Sequence, residues 1–315
     1  MSVLIRDNSE IVQAIEPVII SASRATDIPA FYSDWFFNRL KIGYCAWKNP
    51  FNSKISYVSF KKTKLIVFWS KNPAPLIKYL DILKAKNIDF YIQFTLNDYE
   101  KENLEPNVPS LQKRIDTFKR LSEKVGKEKV IWRFDPLILT DKITVETLLA
   151  RISSIGNKLK GWTQKLVFSY ADIENYTKVK KNLTNNRILY KDFSQKDMLQ
   201  FAKELYNLNK KWQYQLATCA ENISLERFNI KHNSCIDANL MKQLFPNNKP
   251  LMDFLKTAQK DKGQRKLCLC APSKDIGAYN TCPHLCQYCY ANYNKETVLK
   301  NRAIYNEAEY KETII

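Results

Sequence analysis

Three cysteines near the end of the chain, in Cys282-Pro-His-Leu-Cys286-Gln-Tyr-Cys289-Tyr-Ala-Asn292, are spaced C-x3-C-x2-C. Three thiolates at that spacing can grip three irons of a [4Fe–4S] cluster and leave the fourth iron without a protein ligand. An open iron is a place where a small molecule can bind and chemistry can start. Structural zinc sites use four ligands and usually show two C-x2-C pairs. A zinc knuckle here would need His284 or a distant cysteine to complete it.

The chain has eight cysteines, and all but Cys45 lie between Cys219 and Cys289. Nothing in the sequence indicates export, and in a reducing compartment clustered cysteines more often mean metal or redox chemistry than disulfides. Cys219, Cys235, Cys268 and Cys270 make a set of four, the count for a second [4Fe–4S] cluster or a structural zinc. Cys268-Leu-Cys270 is a poor disulfide for geometric reasons but a workable metal grip. The alternative is that Cys219 and Cys235 are small buried apolar residues. Other chemistries lack their motifs. The six glycines form no G-x-G-x-x-G and no Walker A loop, and there is no G-x-S-x-G elbow. Two histidines, His232 and His284, leave little material for histidine acid–base catalysis, and neither has an evident partner in the sequence.

A chain of 315 residues with 45% hydrophobic content can bury a sizeable core. The segment from Met1 to Ala14 carries charges throughout and does not read as a signal peptide. No apolar run approaches the length of a membrane span, so a soluble, cytoplasmic protein with no membrane partner is expected. The net charge of +18 would attract nucleic acid or another polyanion. Compositional drift toward Lys, Asn, Ile and Tyr explains the same charge, because the basic residues are spread along the chain.

The elements that must position these residues follow a regular order. Apolar runs at Val18–Ser21, Leu65–Trp69, Tyr91–Phe94, Val130–Trp132, Leu166–Phe168 and Tyr214–Ala217 read as buried parallel strands. Each runs into polar residues: Ser23-Arg24, Ser70-Lys71-Asn72, Asn97, Arg133-Phe-Asp135, Ser169 to Asp172, and Cys219-Ala-Glu221. Helical patterns lie between them. The clearest, from Pro109 to about Lys124, repeats Leu111, Ile115, Phe118 and Leu121. Pro73 sits where another helix could begin, and Thr144 suits the start of one over Thr147 to Ile155. Lys54 to Phe60 reads as an extra hairpin, and the polar stretch from Asn175 to Lys196 as an exposed insertion. Six strands alternating with helices predict an α/β fold, a partial or complete parallel (β/α) barrel, whose site would lie at the strand C-terminal ends.

With the cysteine motif and strand order in hand, a resemblance can be stated. Cys282 to Asn292 resembles the cluster motif of radical S-adenosylmethionine (SAM) enzymes. Trp69-Ser-Lys-Asn-Pro73, Leu104-Glu-Pro106 and Trp132-Arg-Phe-Asp-Pro136 resemble the spore-photoproduct-lyase-like branch of that superfamily. Over nearly its whole length the chain is similar to a bacterial family of unknown function. Its members carry Ser-x-Arg-x-Thr-Asp-Ile-Pro near the start and the cysteine cluster near the end. Here those read Ser21-Ala-Ser-Arg24-Ala-Thr-Asp27-Ile-Pro29 and Lys274-Asp275-Ile-Gly277-Ala-Tyr279 leading into the cysteines.

The resemblance implies a [4Fe–4S] cluster on Cys282, Cys286 and Cys289 with SAM on its open iron. It also implies reductive SAM cleavage to start radical chemistry, and a small electron-transfer reductant such as flavodoxin or ferredoxin. Tyr288 matches the aromatic position that lies against adenine in the superfamily. Lys71 and Asn72 occupy the region that recognises SAM's amino group, although the usual Gly-Gly-Glu is missing. Arg24, Asp27, Arg133, Asp135, Asp172 and Glu221 are candidate substrate or SAM contacts, with nucleic acid the first substrate to consider. A nucleic-acid-binding protein with a structural zinc or iron–sulfur site is the alternative. In radical SAM enzymes the cysteine loop follows the first strand, whereas here it follows the last. The expected arrangement is therefore a barrel over 1–260 and a cysteine-rich segment over 261–315 that folds back across its mouth.

Overall fold

The six apolar runs become six parallel strands in the computed structural model, which describes residues 2–219, 221–261, 263, 268–306 and 311–315. They are β1 (Ile19–Ala22), β2 (Leu65–Ser70), β3 (Asp89–Thr95), β4 (Val130–Leu137), β5 (Lys165–Tyr170) and β6 (Gln215–Cys219). Two short strands not evident from the sequence join them, β7 (Ile230–Asn233) and β8 (Lys274–Asp275). The spatial order is β7-β6-β5-β4-β3-β2-β1-β8, and every neighbouring pair is parallel. The fold is thus mixed α/β around an eight-stranded parallel sheet. The order rises without the reversal that marks a doubly wound sheet.

Both faces of the sheet are buried, which is why the strands are apolar almost throughout. Side chains alternate between faces with period two. Ile20, Ile66, Phe68, Ile92, Phe94, Trp132, Phe134 and Phe168 share one core with the long helices. Ile19, Leu65, Val67, Tyr91, Ile131, Val167 and Ala217 share a second. The first core is covered by the helices Leu111–Val125, Val145–Leu159 and Gln195–Asn209, each presenting one apolar stripe. The second receives Met241 and Phe245, from helix Ala238–Leu244 and its C-cap, and Leu251 and Leu255 from helix Lys249–Thr257.

Several boundaries differ from the sequence expectation for local reasons. The helix expected from Pro109 starts at Leu111. The Pro109 carbonyl instead accepts from Arg114 Nε at 2.8 Å. After Pro73 the chain forms a 3-10 turn, Ala74–Tyr79, before a short helix, Leu80–Ala85. Thr144 caps its helix, accepting from the Thr147 N–H at 3.2 Å, but the helix runs over Val145–Leu159. The expected hairpin pairs Tyr44–Lys48 with Ile55–Ser59. It belongs to a separate four-stranded sheet with Ser2–Ile5 and Ile11–Ile15. The stretch from 175 to 196 is not simply an exposed insertion. It holds a helix, Thr177–Asn185, with Leu183 fully buried, and Tyr190–Lys191 pairs with Leu139–Thr140. Among the described residues no helix is long and apolar enough to cross a membrane.

Candidate functional site

The loops that follow β1, β2 and β3 meet the C-terminal cysteine segment at one end of the sheet. Its centre is a buried charge cluster. Glu105 accepts from Lys71 Nζ at 2.6 Å and Asn97 Nδ2 at 3.1 Å, and from the Tyr288 hydroxyl in a short contact. Lys71 Nζ also donates to the Tyr288 oxygen at 2.9 Å, and Arg114 lies 3.7 Å from the second carboxylate oxygen. Burial alone would raise the Glu105 pKa. Lys71 and Arg114 outweigh it and hold the carboxyl at about 2. Burial would lower the Lys71 pKa, but Glu105 more than compensates and raises it. Both groups are therefore charged at neutral pH.

A second carboxylate fixes the same loops. Asp27 Oδ1 accepts from Ser70 Oγ at 2.7 Å and the Ala30 N–H at 3.0 Å. Asp27 Oδ2 accepts from the Lys71 N–H at 2.8 Å and lies 2.9 Å from His284 Nε2. His284, inside the cysteine motif, thus has a partner the sequence did not reveal. The chain leading to the motif is tied down by Asp275, which accepts from Ser21 Oγ, Ser23 Oγ and the Arg24 N–H, each at 2.8 Å. Tyr32 and Asn107 hold the loop itself through the carbonyls of Thr281 and Pro283. The cysteine motif is seated against Asp27, Lys71, Asn97 and Glu105.

The three motif thiols are half-buried and in no disulfide. Burial pushes all three pKa values up, that of Cys282 to about 12. The Lys71 ammonium works in the opposite direction on Cys286 and Cys289, and the Ala291 N–H donates to Cys289 Sγ at 3.3 Å. Among the described residues no three His, Cys, Asp or Glu side chains converge on a point that could hold a metal ion. A cluster bound by one thiolate per iron needs no such common point. On donor chemistry the triad suits an iron–sulfur cluster: soft, half-buried thiols, an N–H aimed at sulfur and a nearby cation.

The remaining candidates are dispersed, and only Arg24, Arg133 and Asp135 lie together, near Trp69. Arg133 pairs with Asp135, and Ser169 donates to the same carboxylate. The Arg133 guanidinium lies 5.3 Å from the centre of the Trp69 ring, and that of Arg24 lies 5.9 Å from it. Glu221 accepts from the Tyr170 N–H at 3.0 Å. Asn72 donates its backbone N–H to Ser70 Oγ at 2.9 Å. Asp172 accepts from Asn175 Nδ2 at 2.8 Å in an exposed contact. Arg24, Arg133 and Asp135 therefore lie with Trp69, while Asp27 belongs to the cysteine seat.

A family model matches residues 19–291, from β1 through the last residues of the cysteine motif, and its description is a domain of unknown function, DUF1848. The chain belongs to this family. No curated protein matches it. The crystal structure of a putative alpha-L-fucosidase from Bacteroides thetaiotaomicron is similar at 13% identity. That match covers 61% of this chain and 83% of that one, with a TM-score of 0.24, too low to support any inference. The DUF1848 match spans both ends of the site, Asp27 and the cysteines, so the seat and the motif are parts of one family unit.

Sequence reasoning missed Glu105, Asn97, Asp275 and His284 as site residues. Glu105 and Asp275 stood in quoted motif segments, but Lys71 lies 34 positions from Glu105 and Ser21 lies 254 from Asp275, and only folding brings these pairs together.

Proposed function

We propose that this DUF1848 chain is a radical SAM enzyme. In this reading a [4Fe–4S] cluster on Cys282, Cys286 and Cys289 would, when bound and reduced, supply the electron that cleaves SAM to methionine and a 5′-deoxyadenosyl radical. The observation that carries the reading is the seating of an open-iron cysteine motif against the loops that follow parallel strands, beside a buried lysine–carboxylate cluster. Ligands of parallel α/β folds bind at that end of the sheet. The sheet would then be a partial barrel of the radical SAM type, with the C-terminal segment placed across its mouth.

The chain's own residues have definable work in this scheme. Lys71 and Glu105 stay ionised and fix the Tyr288 hydroxyl between them, which sets the orientation of that ring. Asp27 and His284 tie the loop after β1 to the motif, so the first strand positions a segment distant in sequence. Lys71 also places positive charge near Cys286 and Cys289, favouring their thiolate forms. Arg24 and Trp69, both half-buried, offer an aromatic and cationic contact, while Arg133 is buried against Asp135. With the basic net charge, this favours a polyanionic substrate, nucleic acid first.

The test uses full-length protein purified without oxygen. Iron and sulfide are counted per chain, and dithionite and SAM are then added and 5′-deoxyadenosine is measured. Its formation, abolished in Cys286→Ala, is the expected result. Zinc in place of iron with no SAM cleavage would refute the reading and leave a nucleic-acid-binding protein with a structural metal.

A further inference from the structure

The four cysteines outside the C-terminal motif come from three separate segments and meet at one place. Cys219 ends β6, Cys235 follows β7, and Cys268 and Cys270 lie on the segment that returns toward β8. Cys219 Sγ and Cys235 Sγ are 3.2 Å apart. Cys270 Sγ is brought beside Cys235 by the Ile236 N–H, which donates to it at 3.3 Å, and Cys268 lies two residues before Cys270. All four are free thiols, and 3.2 Å is well beyond a sulfur–sulfur bond of about 2.05 Å. Two sulfurs on one tetrahedral zinc with Zn–S of about 2.3 Å lie about 3.8 Å apart, close to the spacing seen here.

We propose that Cys219, Cys235, Cys268 and Cys270 form a tetrathiolate metal centre, holding zinc or an iron–sulfur cluster, that pins the returning C-terminal segment to β6 and β7. Three features distinguish this from incidental packing of small residues. First, the sulfurs receive N–H donors: Ile236 N–H reaches Cys270 Sγ at 3.3 Å and Arg133 Nη1 reaches Cys235 Sγ at 3.3 Å. Donors of this kind stabilise thiolates. Second, the segments are locked in register. Ala271 N–H donates to the Ile236 carbonyl at 3.0 Å. Tyr91 and Gln93 both donate to the Cys235 carbonyl, at 2.7 and 2.9 Å. Third, four thiolates on a divalent ion carry two excess negative charges, and the Arg133 guanidinium, shared with Asp135, brings positive charge to within 3.3 Å of Cys235 Sγ.

The four sulfurs do not surround a single point. Binding therefore requires the thiols to turn inward. Thiolate sets select zinc or iron–sulfur clusters over harder cations. The site does not depend on the radical SAM reading.

The test separates the two cysteine sets. The full-length variant Cys282→Ala/Cys286→Ala/Cys289→Ala is purified anaerobically and its metal counted. Retention of about one zinc or about four irons per chain is expected, and either metal supports the centre. Adding Cys268→Ser/Cys270→Ser should remove that metal. A mercurial titrated into the triple variant should release the metal in step with about four sulfurs, which requires no further folding mutant. A triple variant that melts cooperatively yet carries no metal would overturn the proposal. So would metal that survives loss of Cys268 and Cys270.

Discussion

Replacing Glu105 with Gln should destabilise the protein by about 3–5 kcal/mol, the penalty for stripping one partner from a buried ion pair. The size can be worked independently from the site. Glu105 falls from an ordinary 4.5 to about 2, and two to three pKa units at 1.36 kcal/mol each give about 3 kcal/mol. The sign follows from the direction of the shift. A carboxyl depressed in the folded state contributes its full stability above the unfolded pKa near 4.5, and loses it as pH falls toward 2. The introduced amide would not titrate, and protonated Glu105 is nearly its isostere. The gap in melting temperature between wild type and Glu105→Gln should therefore be constant above about pH 5 and close as pH approaches 2. At about 2.1 cal/mol/K of unfolding entropy per residue, the 315-residue chain shifts by about 1.5 °C per kcal/mol, and the plateau gap should be about 5–8 °C. Differential scanning across that range, on the full chain, reads it directly. A gap that is flat down to pH 2, or absent at pH 7, would show that Glu105 is not held ionised by Lys71 and Arg114.

His284→Asn should cost about 1–3 kcal/mol in urea unfolding, whereas Asp27→Ala, which strands donors on Ser70, Ala30 and Lys71 as well, should cost more. Equal losses would show that the histidine is the whole interaction. Gly156→Ala lies in a helix, where alanine ordinarily helps, yet its Cβ would approach the Trp212 indole to 2.6 Å. A loss of about 1–3 kcal/mol by denaturant midpoint is expected, and a gain would refute the tight packing. In Gly277→Ala the new Cβ would sit 1.8 Å from Ser23 Oγ, which holds Asp275. Limited proteolysis should then cut the C-terminal segment faster than in wild type, and an unchanged rate would count against the Asp275 tether.

The strands were legible in the sequence because both faces of the sheet are buried. Runs such as Leu65-Ile-Val-Phe are apolar at every position, not alternating. β7 escaped notice because Ile230-Lys-His-Asn has only one apolar residue, and its pairing with β6 is set by neighbours. β8 is two polar residues whose strand character comes from pairing with Ile20 and Ser21. The cysteines announced themselves by spacing. The seat beneath them did not, because Glu105 and His284 look ordinary until Lys71 and Asp27 are brought against them. The 175–196 segment read as an exposed insertion because its surface is polar, but Leu183 anchors it to the core.

The placement of β8 beside β1 also sets an order in time. Ser21 and Asp275, joined by a 2.8 Å hydrogen bond, are 254 positions apart. At about 5–20 residues per second the ribosome needs about 13–50 s to deliver the second after the first. Throughout that interval β1 is an unpaired sheet edge, a template for pairing with other chains. The receptacle of Asp27, Lys71 and Glu105 is made well before the cysteine loop it receives. Whatever the three thiols bind can be fitted only once synthesis has passed Cys289, long after the seat that receives the loop has been made. A nascent chain halted before Lys274 would carry the seat and an open edge but no motif, a species for chaperones or proteases to handle.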